Sequence, residues 1–283
     1  MSERAPLTEA DRRRAAIKAS RAPRPDVVAP VAPTPASVDR WIDEGPARRS
    51  PASRVESGAR RSRGRDEASA LAIATVEERA GSAIRLDVGE RRAGRMVAIV
   101  ARGLDAFESE RWRDASTILA PAARDVPSSG FIQEILGLAL YRQQRWLLAA
   151  QHLEFARRSL GTLANHAVLA DCYRALRRWN LVDELWEELR LAAPDPDTVA
   201  EGRIVAASSL AERGNLPAAI ALLEGSSPSP KRVSERHLRT WYVLGDLHDR
   251  AGNILAARKW FARLASHDRH FADVRERLAA LGG

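Results

Sequence analysis

The sequence predicts an all-α protein: a solenoid of about five helix pairs with a C-terminal capping helix, preceded by a disordered N-terminal tail. The first observation is that Trp112, Trp146 and Trp179 recur about every 34 residues, which is the period of a two-helix repeat. The second is that each Trp lies between a helix with a small residue and a helix with a bulky one. The third is composition, since Ala and Leu supply most apolar residues while aromatics make up only 5%. That balance is typical of stacked helices.

Alignment of the five units reveals a repeated packing pattern of small and large residues. Position 8, in the first helix, is occupied by Gly103, Gly137, Ala170, Ala207 and Gly245. Position 20, in the second helix, is occupied by Ala115, Ala149, Val182, Ala219 and Ala257. Position 24 is occupied by Leu119, Leu153, Trp186, Leu223 and Phe261. Antiparallel helices approach closely only where side chains are small, so the large residue at position 24 is expected to fill the space beside that contact.

This pattern resembles the tetratricopeptide repeat, which has Leu-Gly at positions 7 and 8, Ala at 20 and Phe at 24. The last unit matches best, with Trp241, Leu244, Gly245, Ala257 and Phe261. The fourth unit departs most and keeps Leu210, Gly214, Ala219 and Leu223. The resemblance covers residues 96–270 and implies a right-handed superhelix with a concave face that binds proteins or peptides.

In this family the concave face is built from positions 2, 5, 9, 12 and 13 of the first helices. The resemblance therefore implies a groove lined by Phe107, Glu108, Phe131, Glu134, Leu138, Tyr141, Arg142, Asp171, Arg174, Glu201, Ser208, Glu212, Arg239, Tyr242, Asp246, Asp249 and Arg250. Its first half is aromatic and aliphatic, and its second half is charged, which favours an apolar helix or an extended peptide with charged groups at one end. The positions that grip a C-terminal carboxylate in some members are Val100, Leu104, Glu134 and Leu138 here, which argues against that mode.

Taken in order, the chain begins with residues 1–65, a basic Pro- and Arg-rich tail without apolar periodicity that is expected to be disordered. Within it, Trp41 and Ile42 form an isolated apolar motif. This motif has three interpretations: a chance apolar pair, a docking motif for a partner, or a segment that folds back into the apolar half of the groove. The run Arg48–Arg65 contains seven arginines and one acid, Glu56, and is a candidate for weak nucleic-acid contact.

A lead-in helix is expected within residues 66–95, with Asp66 as N-cap and its end near Gly81. The predicted repeat helices cover residues 87–109, 111–124, 131–143, 146–159, 163–176, 179–191, 197–213, 215–224, 235–250 and 253–266. Residues 271–283 are predicted to form the capping helix, which has one apolar and one charged side.

Candidate reactive residues favour structural roles. The recurrence of the three tryptophans indicates that they pack one unit on the next. Cys172 lies beside Tyr173, where the repeat needs a small buried residue, and is predicted to be an inert core thiol. His267 and His270 lack a third ligand nearby, and no phosphate loop, nucleophile elbow or zinc-protease pattern occurs. The sequence therefore predicts no catalytic residues, no metal, no cofactor and no small-molecule substrate.

The leading hypothesis is a non-enzymatic scaffold that binds a protein or peptide in the groove. The alternative is an RNA- or ribosome-associated factor that uses the Arg-rich tail, whose ten acids up to Glu67 argue against it. A third is a sensor domain that regulates an attached effector, and the sequence contains no such effector. The single cysteine and the lack of an apolar span predict a cytoplasmic protein that makes no membrane contact, and only three of the 45 basic residues are Lys, which indicates a high-GC bacterial source.

Overall fold

The structure is a computed structural model that describes residues 58–225, 230 and 232–282. These residues form twelve α-helices: α1 (Gly58–Val88), α2 (Glu90–Glu108), α3 (Trp112–Asp125), α4 (Gly130–Arg142), α5 (Trp146–Leu160), α6 (His166–Ala175), α7 (Trp179–Ala192), α8 (Pro196–Glu212), α9 (Leu216–Glu224), α10 (Glu235–Arg250), α11 (Ile254–Ala265) and α12 (Val274–Ala280). The Trp41-Ile42 motif and Arg48 to Ser57 lie outside the described residues.

The described chain is all-α, and its helices pack sequentially in pairs as in a tetratricopeptide-repeat solenoid. The pairs are α2/α3, α4/α5, α6/α7, α8/α9 and α10/α11. Each first helix also packs against the first helix of the next unit. The ten repeat helices begin and end within three residues of the predicted bounds, which confirms the repeat register.

The predicted packing pattern is confirmed at atomic level. A Cβ atom added to Gly103, Gly137 or Gly245 would lie 2.6, 2.8 or 2.7 Å from the side chain of Leu119, Leu153 or Phe261, respectively. These distances are far below van der Waals contact, so each second helix places its large residue directly against the bare backbone of the first helix.

The turn inside each unit repeats a backbone feature for which the sequence gives only a partial signal. The residue at position 15 has a left-handed conformation in all five units: Glu110, Gln144, Arg177, Gly214 and Gly252, with φ between 55° and 84°. The next residue then donates its N–H to a carbonyl five residues back, as Arg111 does to Ala106 at 2.8 Å. Glycine takes this conformation without strain, but only the last two units use it, so the other three turns carry no glycine signal.

Helix α1 is longer than the lead-in helix that the sequence predicts. It begins at Gly58, inside the segment predicted to be disordered, and continues through Gly81 to Val88. The helix continues past Gly81 and ends at Val88. The next residue, Gly89, has a φ of 76°, which is not helical, and it is the N-cap residue of α2. The buried face of α1 consists of Ala72, Val76, Ala80 and Ile84, each one helical turn apart.

No helix within the described part of the chain is long and apolar enough to cross a membrane.

Candidate functional site

All predicted groove positions except Phe107 and Glu108, which lie on α2, belong to four consecutive first helices, and polar side chains link each of these helices to the next. We call α4, α6, α8 and α10 the first-helix row; α1 contacts its N-terminal end and α12 its C-terminal end. The linking contacts are side-chain hydrogen bonds between residues 30 to 55 positions apart in sequence. Within the row, these hydrogen bonds join consecutive helices through some of the positions named from the repeat pattern.

At the N-terminal end of the row, α1 covers residues that were predicted to be open. The guanidinium of Arg79 lies 4.1 Å from the centre of the Phe131 ring, and Phe131 is only 2% exposed. Arg79 Nη2 also donates to Glu134 Oε2 at 2.8 Å, while Asn165 Nδ2 donates to Glu134 Oε1 at 2.6 Å. Phe131 and Glu134 are therefore held between α1 and α6 and are not an exposed apolar surface.

At the centre of the row, a buried network joins three helices. The Tyr141 hydroxyl on α4 donates to Asp171 Oδ2 at 2.9 Å, and Arg174 Nε donates to Asp171 Oδ1 at 2.7 Å. Arg174 also pairs with Glu212 on α8. Burial, together with the negative charge of Asp171, raises the pKa of Tyr141, so its hydroxyl keeps its proton and donates at all physiological pH values.

At the C-terminal end, the paired charges reach the surface. Arg239 Nη1 on α10 donates to Glu201 Oε1 on α8 at 3.1 Å. Arg277 Nη2 on α12 donates to Asp246 Oδ1 at 2.6 Å and lies 3.3 Å from Asp249 Oδ2. Between a quarter and a half of the Glu201, Arg239 and Asp249 side chains is exposed, so solvent or a ligand can reach them.

The remaining contacts at this end come from two residues of α10. The Tyr242 hydroxyl donates to Asp273 Oδ1, immediately before α12, at 2.6 Å. Arg250 Nη1 lies 3.8 Å from Asp246 Oδ2. In this part of the described chain, the charged groove residues Glu201, Arg239, Asp246, Asp249 and Arg250 therefore each lie within 4 Å of an oppositely charged side chain.

Three other predicted groove residues are half-buried, and two of them, Phe107 and Leu138, are apolar. Phe107 packs edge-to-face on Trp112 with ring centres 5.1 Å apart, and the Arg142 guanidinium lies 5.4 Å from the same Trp112 ring. Leu138 lies on α4 between the N-terminal and central clusters and packs against the core. Trp112 thereby joins the first unit to the second, in agreement with the structural role predicted for the tryptophans.

Sequence reasoning missed Arg79, Asn165, Asp273 and Arg277 as part of this surface. None of them occupies a groove position of the repeat, because Arg79 belongs to α1, Arg277 to α12, and Asn165 and Asp273 to the turns before α6 and α12. The signal that was available was the charged side of the capping helix, which contains Arg277.

Cys172 lies next to the central network but is fully buried. Burial, with a smaller contribution from Asp171, raises the pKa of its thiol well above the usual range. The thiol is therefore protonated and does not act as a nucleophile. Within the described residues, no three His, Cys, Asp or Glu side chains are grouped as metal ligands.

Comparisons with known proteins agree with the fold. No protein-family model matches the sequence, and no curated protein matches it either. Among solved structures, the apo form of the quorum sensor NprR from B. thuringiensis superposes with a TM-score of 0.55 and 16% sequence identity. The chain shares its fold with a quorum sensor. The match covers 78% of this chain and 66% of the NprR chain, so this chain spans just under two thirds of that protein, and the likeness concerns the fold alone.

Proposed function

We propose that this chain is a non-enzymatic interaction module that binds a peptide along the first-helix row. The observation that supports the proposal is the series of side-chain contacts from Tyr141 to Asp249, which joins the first helices of four consecutive units. A surface built from several rigid helices is preorganised, so most of the conformational entropy lost on binding is that of the peptide. The fold shared with a quorum sensor is compatible with ligand binding.

The side chains of the row indicate the chemistry of the peptide. Because α1 covers Phe131, the apolar part of the row is limited to half-buried side chains such as Leu138, beside the half-buried cation of Arg142. The C-terminal part offers both acidic and basic groups, at Glu201, Arg239 and Asp249. We therefore expect an extended peptide with one apolar side chain and a charged segment that carries both signs, because charge complementarity selects the partner.

The test begins with a random peptide library selected against the chain, followed by affinity measurement of the winning peptides. Leu138→Asp is expected to lower affinity at least tenfold, which corresponds to about 1.4 kcal/mol, because it places a charge at the centre of the row. Leu255→Asp is the matched control, because Leu255 is 80% exposed on the second helix α11. The control is expected to change affinity by no more than roughly twofold.

A second variant tests the same surface in case Leu138→Asp loses binding only because it fails to fold. Arg142→Glu reverses a half-buried charge without placing a new one in the core, and it should weaken binding of peptides selected for acidic residues. The proposal is wrong if both row variants bind as tightly as wild type, or if Leu255→Asp is the variant that loses binding. The nucleic-acid alternative stays a prediction, because Arg48 to Ser57 lie outside the described residues.

A further inference from the structure

A pocket of about 340 Å³ lies between the turn before α8 and the start of α10, and its lining contains none of the residues that make the contacts from Tyr141 to Asp249. It is lined by Ala193, Asp195, Pro196, Val199, Ala200, Arg203, Arg236, His237 and Thr240. Four of these residues are small or apolar, and three carry basic side chains. A concave site with an apolar wall and a few polar groups is the usual form of a small-ligand pocket.

The pocket follows from unequal helix lengths in the fourth unit. Helix α8 has 17 residues, whereas its partner α9 has nine and ends at Glu224 before Gly225. At 1.5 Å rise per residue, α9 therefore runs along only about half of α8. Arg203 and Val199 lie in the half of α8 that α9 does not reach.

Among the basic residues of this lining, Arg203 is the one whose guanidinium has no hydrogen-bond acceptor or acidic partner in the described chain. It is half-buried, and its guanidinium lies 5.5 Å from the centre of the Trp186 ring. Among the described residues, it makes no hydrogen bond and no ion pair, and burial lowers its pKa. The guanidinium is still open to water on the pocket side, so a ligand with an acceptor can reach it and would supply its first charged partner.

The other charges in the pocket are already matched. Arg236 Nη1 donates to Asp197 Oδ1 at 2.8 Å. Asp195 Oδ1 accepts the backbone N–H groups of Asp197 and Thr198 at 3.0 and 2.9 Å, where the α8 N-terminus stabilises its charge. His237 Nδ1 accepts the N–H of Ser234 at 3.0 Å. One positive charge, on Arg203, is left without a partner in the described chain.

We propose that this pocket binds a single carboxylate group, held by the Arg203 guanidinium, on a ligand with a short apolar portion that packs against Pro196 and Val199. The planar fork of arginine matches the two oxygens of a carboxylate. A monoanion balances the one unpartnered charge. A phosphate dianion would bring a second negative charge next to Asp195, and it fits less well.

The test uses two small probes that differ only in charge, N-acetyl-L-alanine and N-acetyl-L-alaninamide, titrated into the full chain and followed by NMR. The acid is expected to bind at least tenfold more tightly than the amide. Arg203→Gln should remove this difference, while Arg102→Gln should keep it, since Arg102 is exposed on α2 and distant in the fold. A third probe, N-acetyl-L-aspartic acid α-amide, carries its carboxylate on the side chain. Tighter binding of either acid than of N-acetyl-L-alaninamide supports the site, and the acid that binds more tightly shows whether a terminal or a side-chain carboxylate is preferred.

Folding and independence are controlled separately. Arg203→Gln should melt close to wild type, because the substitution breaks no ion pair and loses only the contact with the Trp186 ring, and Arg203→Lys should still prefer the acid, with weaker binding. Leu138→Asp should leave acid binding unchanged, so a failure of the peptide proposal and a failure of this one are distinguishable. Equal binding of acid and amide by wild type, retention of the difference in Arg203→Gln, or tighter binding of inorganic phosphate would each overturn the proposal.

Discussion

Replacing Gly137 with leucine is expected to destabilise the chain by about 3 kcal/mol or more and to unfold the second helix pair first. A Cβ atom at this position would lie 2.8 Å from Leu153 Cγ and 3.1 Å from the Leu153 backbone nitrogen. The side chain of Leu153 can rotate, but its backbone belongs to α5 and cannot move without separating α5 from α4. The cost therefore exceeds the gain of roughly 0.5–1 kcal/mol that any residue other than glycine brings to a helix interior.

The matched control is Gly94→Leu. Gly94 is also in a helix interior, on α2, but it is exposed, and an added Cβ would have no neighbour within 4 Å. This substitution is expected to raise stability by about 0.5–1 kcal/mol. Chemical denaturation of both variants measures the two effects, and equal behaviour of the pair would mean that the helices of unit two do not pack through position 8.

Replacing Arg174 with methionine is expected to cost about 3–5 kcal/mol, because it leaves the Asp171 carboxylate buried without its cationic partner. The side chains of Arg174 and Asp171 are only 5% and 3% exposed, so water does not replace the lost contact. The same change removes the link from α6 to Glu212 on α8. The denaturation curve of Arg174→Met should therefore have a lower midpoint than that of wild type, and the third and fourth units should unfold less cooperatively.

Two comparisons separate this effect from loss of a large side chain. Asp171→Asn combined with Arg174→Met should be more stable than Arg174→Met alone, because no uncompensated charge remains while Tyr141 keeps an acceptor. Arg213→Met removes an arginine that pairs with Asp183 at 2.8 Å in a more exposed setting, and it should cost about 1 kcal/mol or less. If Arg174→Met costs no more than Arg213→Met, the central network does not stabilise the fold.

The helices and their packing could be predicted because they depend on local spacing. Small residues at position 8 and large ones at position 24 predict where the two helices of a unit come into contact, and the contacts of Gly103 and Gly245 agree with that prediction. The end of α1 was misplaced because Gly81 and Gly89 look alike in sequence. Only tertiary packing along Val76 and Ile84 decides which glycine breaks the helix.

The candidate site was less predictable because it depends on how far each helix is shifted relative to the next. The repeat pattern named Tyr141, Asp171 and Arg174, but it did not show that they bond to one another. It also assigned Phe131 to an open apolar surface that Arg79 covers. A residue from outside the repeats has no position in the repeat alignment, so its contacts follow only from the folded chain.

The central claim is that the first-helix row is the binding surface, and cross-linking locates the bound ligand most directly. A peptide selected from the library is synthesised with a diazirine photo-crosslinker at one position, irradiated in complex with the full chain, and mapped by mass spectrometry. The proposal predicts cross-links on α4, α6, α8 and α10, with Leu138→Asp abolishing them and Leu255→Asp leaving them unchanged. Cross-links confined to the second helices α5, α7, α9 and α11 would contradict it.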